Sequence, residues 1–360
     1  MNRISVLLAL FLAGAGCDDP ASRPARVSVP SMTEPYELPA TMCGDYFVVN
    51  ATINGHEGIP LLMDSGAGRT VMDPDVLRTV GARKRIDSLR IGDYAAYDFG
   101  VSKLDMDALS AALGERVYGI LGHPVFNPLL LTYDFPGRRL VIEHARLDSA
   151  GAVPLRAGYD RPYVRADVGE RAFWILIDTG SSRGLSLDDL ERFSLSMPPT
   201  RTGGRMRVNG LFVVETGRLS QTVRMGGFEL EQPFAARTES RHLVGQEVLH
   251  HFAITFDHPG GLVRFSRPDS ISGPIPAYPA RVSDYLADPE TGEVLHVFDE
   301  SIGLRRGDRL VRVNGRPFGE RGCPSSHLAP RVPSEYEIEF DRDGEIRSVT
   351  ARVGFLGMEE

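Results

Sequence analysis

Leu61-Leu62-Met63-Asp64-Ser65-Gly66-Ala67 and Trp174-Ile175-Leu176-Ile177-Asp178-Thr179-Gly180-Ser181 decide the reading of this chain. Each is an apolar run ending in Asp, a hydroxyl residue, Gly and a small residue. An acid at the end of a buried-type strand is unfavourable unless it is paired or hydrogen-bonded. One Asp-[Ser/Thr]-Gly triplet is an ordinary turn in which the Asp caps its own backbone. Two copies, each behind an apolar run, point to two carboxylates brought together.

The correspondence extends outward. The first copy contains Tyr46, then Asp64-Ser65-Gly66, Ile120-Leu121-Gly122 and Asp134-Phe135-Pro136-Gly137. The second contains Tyr163, then Asp178-Thr179-Gly180, Leu243-Val244-Gly245 and Asp257-His258-Pro259-Gly260. Gly122 to Asp134 and Gly245 to Asp257 are both twelve residues, with Val125 matching Val248 and Thr132 matching Thr255. Equal spacing into the same Asp-x-Pro-Gly turn marks a duplication. Short apolar alternations between Gly, Pro and Asn turns make each copy β-rich, and the few helical signals include 74–80 and 105–113. The copies differ in one place. From the Asp to an Ile-Gly or Met-Gly pair the first takes 27 residues (64 to 91) and the second 47 (178 to 225). The added stretch holds Thr202-Gly203-Gly204-Arg205-Met206-Arg207-Val208-Asn209-Gly210 and reads as a hairpin turning at Asn209-Gly210.

The composition sets outer bounds. At 360 residues there is room for two or three domains, and 42% hydrophobic with 24% charged residues suits a soluble, strand- and turn-rich protein. A net charge of −8 without a basic cluster argues against nucleic acid as a partner. Cys43 and Cys323, the two cysteines beyond position 17, are too few for a disulfide framework, and the sequence leaves their pairing open. Neither they nor the nine scattered His are spaced as a metal site.

The paired loops resemble the active-site signature of aspartic peptidases, over about 46–266. The resemblance implies a mainly β architecture of two duplicated retropepsin-like lobes forming a bilobal aspartic-peptidase fold. It makes Asp64 and Asp178 the catalytic pair, holding a water between them, with no metal or organic cofactor. Two carboxylates that close cannot both ionise cheaply, so one acts as base and the other as acid. By the same resemblance Gly66 and Gly180 let the loops approach, Ser65 and Thr179 lock them together, and Gly122 and Gly245 underpin them. Gly203, Gly204, Asn209 and Gly210 would belong to a flap contributed by the second copy alone, the alternative being a mobile surface loop over 200–214. A Ser181 hydroxyl donating to Asp178 would make Asp178 the ionised partner and Asp64 the protonated one. Both aspartates lie in one chain, so a monomer suffices.

The ends read differently. Arg3, the apolar 4–15 and Leu12-Ala13-Gly14-Ala15-Gly16-Cys17 resemble a bacterial lipoprotein signal, which implies cleavage at 1–16 and lipidation of Cys17. Ordinary cleavage near Gly16, leaving a free thiol, is the alternative. The Pro-rich, polar 17–40 reads as a flexible tether. The copies follow at 41–147 and 148–268, then a Pro-rich linker at 269–279. Beyond it, Ser301-Ile302-Gly303-Leu304-Arg305-Arg306-Gly307-Asp308-Arg309-Leu310-Val311-Arg312-Val313-Asn314-Gly315 resembles the core signature of a PDZ domain. The resemblance implies a small α+β domain over 280–357. Gly303-Leu304 would open a short helix, Gly307-Asp308 form a tight turn, and a strand would end at Asn314-Gly315. It also implies protein C-terminal tails as ligands.

The resulting expectation is an endopeptidase acting on polypeptides, lipid-anchored in the bacterial envelope and facing the periplasm. The alternative is a non-catalytic envelope lipoprotein whose bilobal body and PDZ-like domain bind polypeptides as an adaptor.

Overall fold

Asn54-Gly55 closes the first hairpin. Both residues take left-handed backbone, φ 48° and 85°, which Asn and Gly tolerate best. Strands Tyr46–Ile53 and His56–Asp64 therefore pair antiparallel with Ile53 opposite His56. The second copy turns likewise at Gly169, φ 58°, joining Tyr163–Val168 to Arg171–Ile177. In the computed structural model residues 25–29, 33–207, 210–238, 241–268, 273–275, 277–320, 322–323 and 333–356 are described.

The protein is mainly β. Among the described residues, eight strands of the first copy and its preceding segment form one sheet, and nine strands of the second copy form another. A six-stranded sheet is shared. Its centre pairs Leu130–Asp134 with Ala253–Asp257 antiparallel, and the Oγ1 atoms of Thr132 and Thr255 meet at 2.8 Å. On either side of that contact the two Asp-x-Pro-Gly turns close identically. Gly137 N donates to Asp134 Oδ1 at 2.8 Å, and Gly260 N to Asp257 Oδ1 at 2.9 Å. One continuous apolar core runs through both copies, from Val49, Leu61 and Met63 to Ile175, Ile177 and Val244.

The helices are short. Pro74–Thr79 starts with Pro and an Asp73 side chain capping Asp75 N. Asp107–Leu113 ends at Gly114 in the left-handed conformation, and its Leu109 and Leu113 cover a second apolar cluster with Val48, Leu62 and Ile120. No helix among the described residues is long and apolar enough to cross a membrane.

Two segments read as connectors carry structure. In the tether, Arg26–Ser28 pairs with Tyr94–Lys103, and Tyr36–Leu38 pairs with Arg139–Ile142 at the edge of the shared sheet. Leu38 is buried there, and the Tyr36 hydroxyl accepts from Asp93 N at 3.0 Å. Three-residue edge strands take their pairing from a neighbour, so no alternation announces them. In the linker, Ile275 is buried in the main core and bridges Leu230. The signal segment 1–16, the start of the tether and Cys17 lie outside the described residues.

The C-terminal unit has its own core of Tyr285, Val294, Leu310, Ile338, Phe340 and Val353. Its long hairpin pairs Ser334–Arg342 with Glu345–Leu356, and Arg309–Val313 joins that sheet. Gly303 does not open a helix. It ends the one-turn helix Glu300–Ile302 in the left-handed conformation, φ 81°, with Leu304 buried behind it. Gly307 follows at φ 91°, and Asp308 N donates to Arg305 O at 3.1 Å. The Asp308 carboxylate is buried against the Arg342 guanidinium, 2.6 Å away, which holds its pKa down against the cost of burial. Asn314 and Gly315, φ 50° and 72°, form the two-residue turn that returns the chain to Arg316–Pro317.

Candidate active site

Strand His56–Asp64 delivers Asp64 at its end, opposite Gly122 of the parallel strand Gly119–Gly122. In the second copy Arg171–Ile177 ends one residue short of Asp178, whose N–H donates to Val244 O at 2.9 Å. Both carboxylates are buried, at 3% and 6% exposure, and each belongs to a loop that faces the other. A Cβ on Gly66 would collide with the Asp178 carboxylate, and one on Gly180 with that of Asp64. Glycine is required at both positions for the loops to come this close.

Ser65 and Thr179 cross-link the loops. Ser65 N donates to Thr179 Oγ1 at 2.9 Å and Thr179 N to Ser65 Oγ at 3.1 Å. The Ser65 hydroxyl donates onward to Ile177 O at 2.8 Å. Beneath them, Gly122 and Gly245 touch the turning backbone: a Cβ would strike Arg69 O at the first and Ser181 O at the second. The residues just after these glycines complete the support. His123 N donates to Ala67 O at 2.9 Å, Gln246 N to Ser181 O at 2.8 Å, and Gln246 Nε2 to Thr179 O at 2.6 Å.

The two carboxylates are not equivalent. Asp64 Oδ1 accepts from Gly66 N at 2.7 Å and Ala67 N at 3.2 Å, while Asp178 Oδ1 accepts from Gly180 N at 3.0 Å. Burial pushes Asp64 up to about 6, opposed by those amides. Burial, and next the negative charge of Asp64, hold Asp178 well above the usual carboxylate range. Both carboxylates are raised as one pair, and the directions of their shifts favour ionisation at Asp64 first, the opposite of the order expected from Ser181. The Ser181 hydroxyl accepts from Arg183 N at 3.4 Å and so serves its own turn.

Other residues enter the site that the sequence did not mark as site residues. Tyr46 lies near Ser182, and burial together with the nearby Asp45, Asp178 and Asp64 charges raises its phenol pKa. Tyr133 is fully buried, edge-on to Phe47 and Phe256, where burial and the Asp64 charge act the same way. Arg161 lies along the first loop, where a Cβ on Gly68 would be 3.3 Å from its Cδ. Repeat position was the available signal: Tyr46 and Tyr163 open corresponding strands, and Gln246 follows the second apolar-apolar-Gly segment.

Gly203 and Gly204 lie in strand Leu195–Arg207 and Gly210 begins Gly210–Leu219, its antiparallel partner; Asn209 falls outside the described residues. The first copy has no such hairpin among its described residues, passing from Thr70–Met72 through helix Pro74–Thr79 to Arg85–Ile91. Asp73, Asp105 and Asp107 stand close enough together to hold a cation, but Arg116 already pairs with Asp73 and Asp107. No protein-family model and no curated protein sequence matches the chain.

Proposed function

We propose that this chain is an aspartic endopeptidase, with two retropepsin-like lobes in one polypeptide and a PDZ-like C-terminal domain. The observation that carries the reading is the buried Asp64–Asp178 pair, held face to face by crossed Ser65–Thr179 hydrogen bonds. A turn that merely capped itself would need neither the second carboxylate nor the crossed hydroxyls. The ionised Asp64 removes a proton from a water held between the carboxylates. The protonated Asp178 donates to the peptide carbonyl oxygen as the tetrahedral intermediate forms, and the water oxygen bonds to the carbonyl carbon. The resemblance at Cys17 supports a lipid anchor in the bacterial envelope, with the body facing the periplasm.

The test is hydrolysis of casein from pH 3 to 8, with and without pepstatin, by the parent, Asp64→Asn and Asp178→Asn. Pepstatin-blocked cleavage lost in both variants is the expected result. Full activity in either variant sinks the assignment, and tight polypeptide binding without turnover supports the adaptor instead.

A further inference from the structure

Cys323 of the C-terminal unit is joined by a disulfide to Cys43, 280 positions earlier, with Cα atoms 4.8 Å apart. Cys43 ends the strand Thr41–Cys43, opposite Tyr46 across the Gly44-Asp45 turn. The staple thus lies one turn away from a residue that borders the candidate dyad. Beside it, Gly322 N donates to the carbonyl of Gly114, which caps helix Asp107–Leu113.

On another face the same unit grips the second copy. Ser283 N donates to Thr202 O at 3.1 Å, and the Arg201 guanidinium lies 6.0 Å from the centre of the Phe298 ring. Gly203, φ 134°, fits this contact: a Cβ there would lie 3.0 Å from Ser283 Cβ. These residues stand where the 195–219 hairpin leaves its sheet. Strand Gly210–Leu219 pairs with Phe234–Arg237 at Thr216, Gly217 and Arg218, whereas from Glu215 outward its described strand partner is the hairpin's other arm. A two-stranded ribbon is marginally stable alone in water, so support at its root governs how readily it moves.

We propose that the C-terminal unit is a redox-releasable clamp on this ribbon: with Cys43–Cys323 closed it restrains the ribbon's root at 201–204 and 212–215 and slows admission of a polypeptide, and reduction releases it. This rests on the peptidase reading, in which a moving flap gates the site. The reductant is a dithiol. One of its thiolates attacks the sulfur of Cys323, which is exposed while Cys43 is buried. The Cys43 thiolate leaves and takes a proton. The second thiol then attacks the mixed disulfide, freeing the Cys323 thiol and departing as an oxidised disulfide, so two electrons and two protons pass to the protein. Afterwards the polypeptide is the one covalent link between the unit and the body, leaving non-covalent contacts such as Ser283 N to Thr202 O, and the unit's effective concentration at the ribbon falls.

The experiment compares amide exchange and casein hydrolysis in the full chain, oxidised, treated with dithiothreitol, and as Cys323→Ser. The expected result is about tenfold faster exchange over 201–204 and 212–215 in both opened forms, unchanged exchange in Leu130–Asp134, and faster hydrolysis. Unchanged exchange over the ribbon overturns the clamp, as does faster exchange without a rise in hydrolysis by a cleaving enzyme. Faster exchange with no cleavage in any form supports the mechanical coupling and removes the peptidase reading instead.

Discussion

Ser65 and Thr179 each use the other's side-chain oxygen to satisfy a buried backbone N–H, at 2.9 and 3.1 Å across the two copies. Neither amide can reach water, because both residues are at most 1% exposed. The interlock therefore belongs to the folding of the pair of copies as much as to any chemistry. Removing one hydroxyl strands the opposing N–H, which costs about 1–3 kcal/mol when buried. Thr179→Val and Ser65→Ala should each lower stability by that amount in urea denaturation. Because the two bonds are distinct yet lie in one network, a double-mutant cycle should show an interaction energy of at least about 0.5 kcal/mol; strict additivity would show that the hydroxyls act independently.

Gly66→Ala and Gly180→Ala should be worse for the site than for the fold. Each added Cβ meets the carboxylate of the opposite loop, so the two aspartates must separate. Hydrolysis should drop at least about a hundredfold, the scale of a misplacement near 1 Å, while far-ultraviolet circular dichroism stays that of the parent. Retained turnover in both variants would show that the loops need not approach so closely.

Protonation sets the pH dependence. A carboxyl raised by burial costs nothing when protonated and destabilises the fold once it must ionise. Asp64, raised to about 6, thus lowers stability progressively as pH climbs from near 4 through 6, and Asp178 extends the loss upward. Asp178→Asn should raise the melting temperature at pH 8 more than at pH 4. Hydrolysis should rise as the Asp64–Asp178 pair loses its first proton and fall as it loses the second. A melting temperature of Asp178→Asn that tracks the parent equally at both pH values would contradict this.

Deletion of 203–209 shortens the ribbon that, among the described residues, the second copy alone carries. Turnover should be abolished, with the melting transition within about 2 °C, since the ribbon end adds little to the main core. Parent-like cleavage by the deletion variant would mean the hairpin is not a flap.

Cys17→Ser should move the expressed protein from the membrane to the soluble envelope fraction on ultracentrifugation. Unchanged membrane association in the variant would point to another anchor.

Much of the site could be read locally. An acid ending an apolar strand needs a partner wherever the chain goes, and its duplication at Asp64 and Asp178 named both members. The turns at Asn314-Gly315 and the two Asp-x-Pro-Gly sites are set by the few residues that tolerate their backbone angles, so local sequence marked them. The β-rich character followed from the same short alternations.

What only the tertiary structure decided depends on groups distant in the chain. Cys43 meets Cys323 across 280 positions, and nothing near either cysteine specifies the other. Tyr36–Leu38 is a strand because Arg139–Ile142 offers it an edge. Burial of both carboxylates, and the Asp64 charge beside Asp178, raise the pair, whereas the Ser181 hydroxyl that the sequence displays accepts from Arg183 N. Local backbone preference is written residue by residue, whereas electrostatic environment and pairing arise from the packing of segments that the sequence keeps far apart.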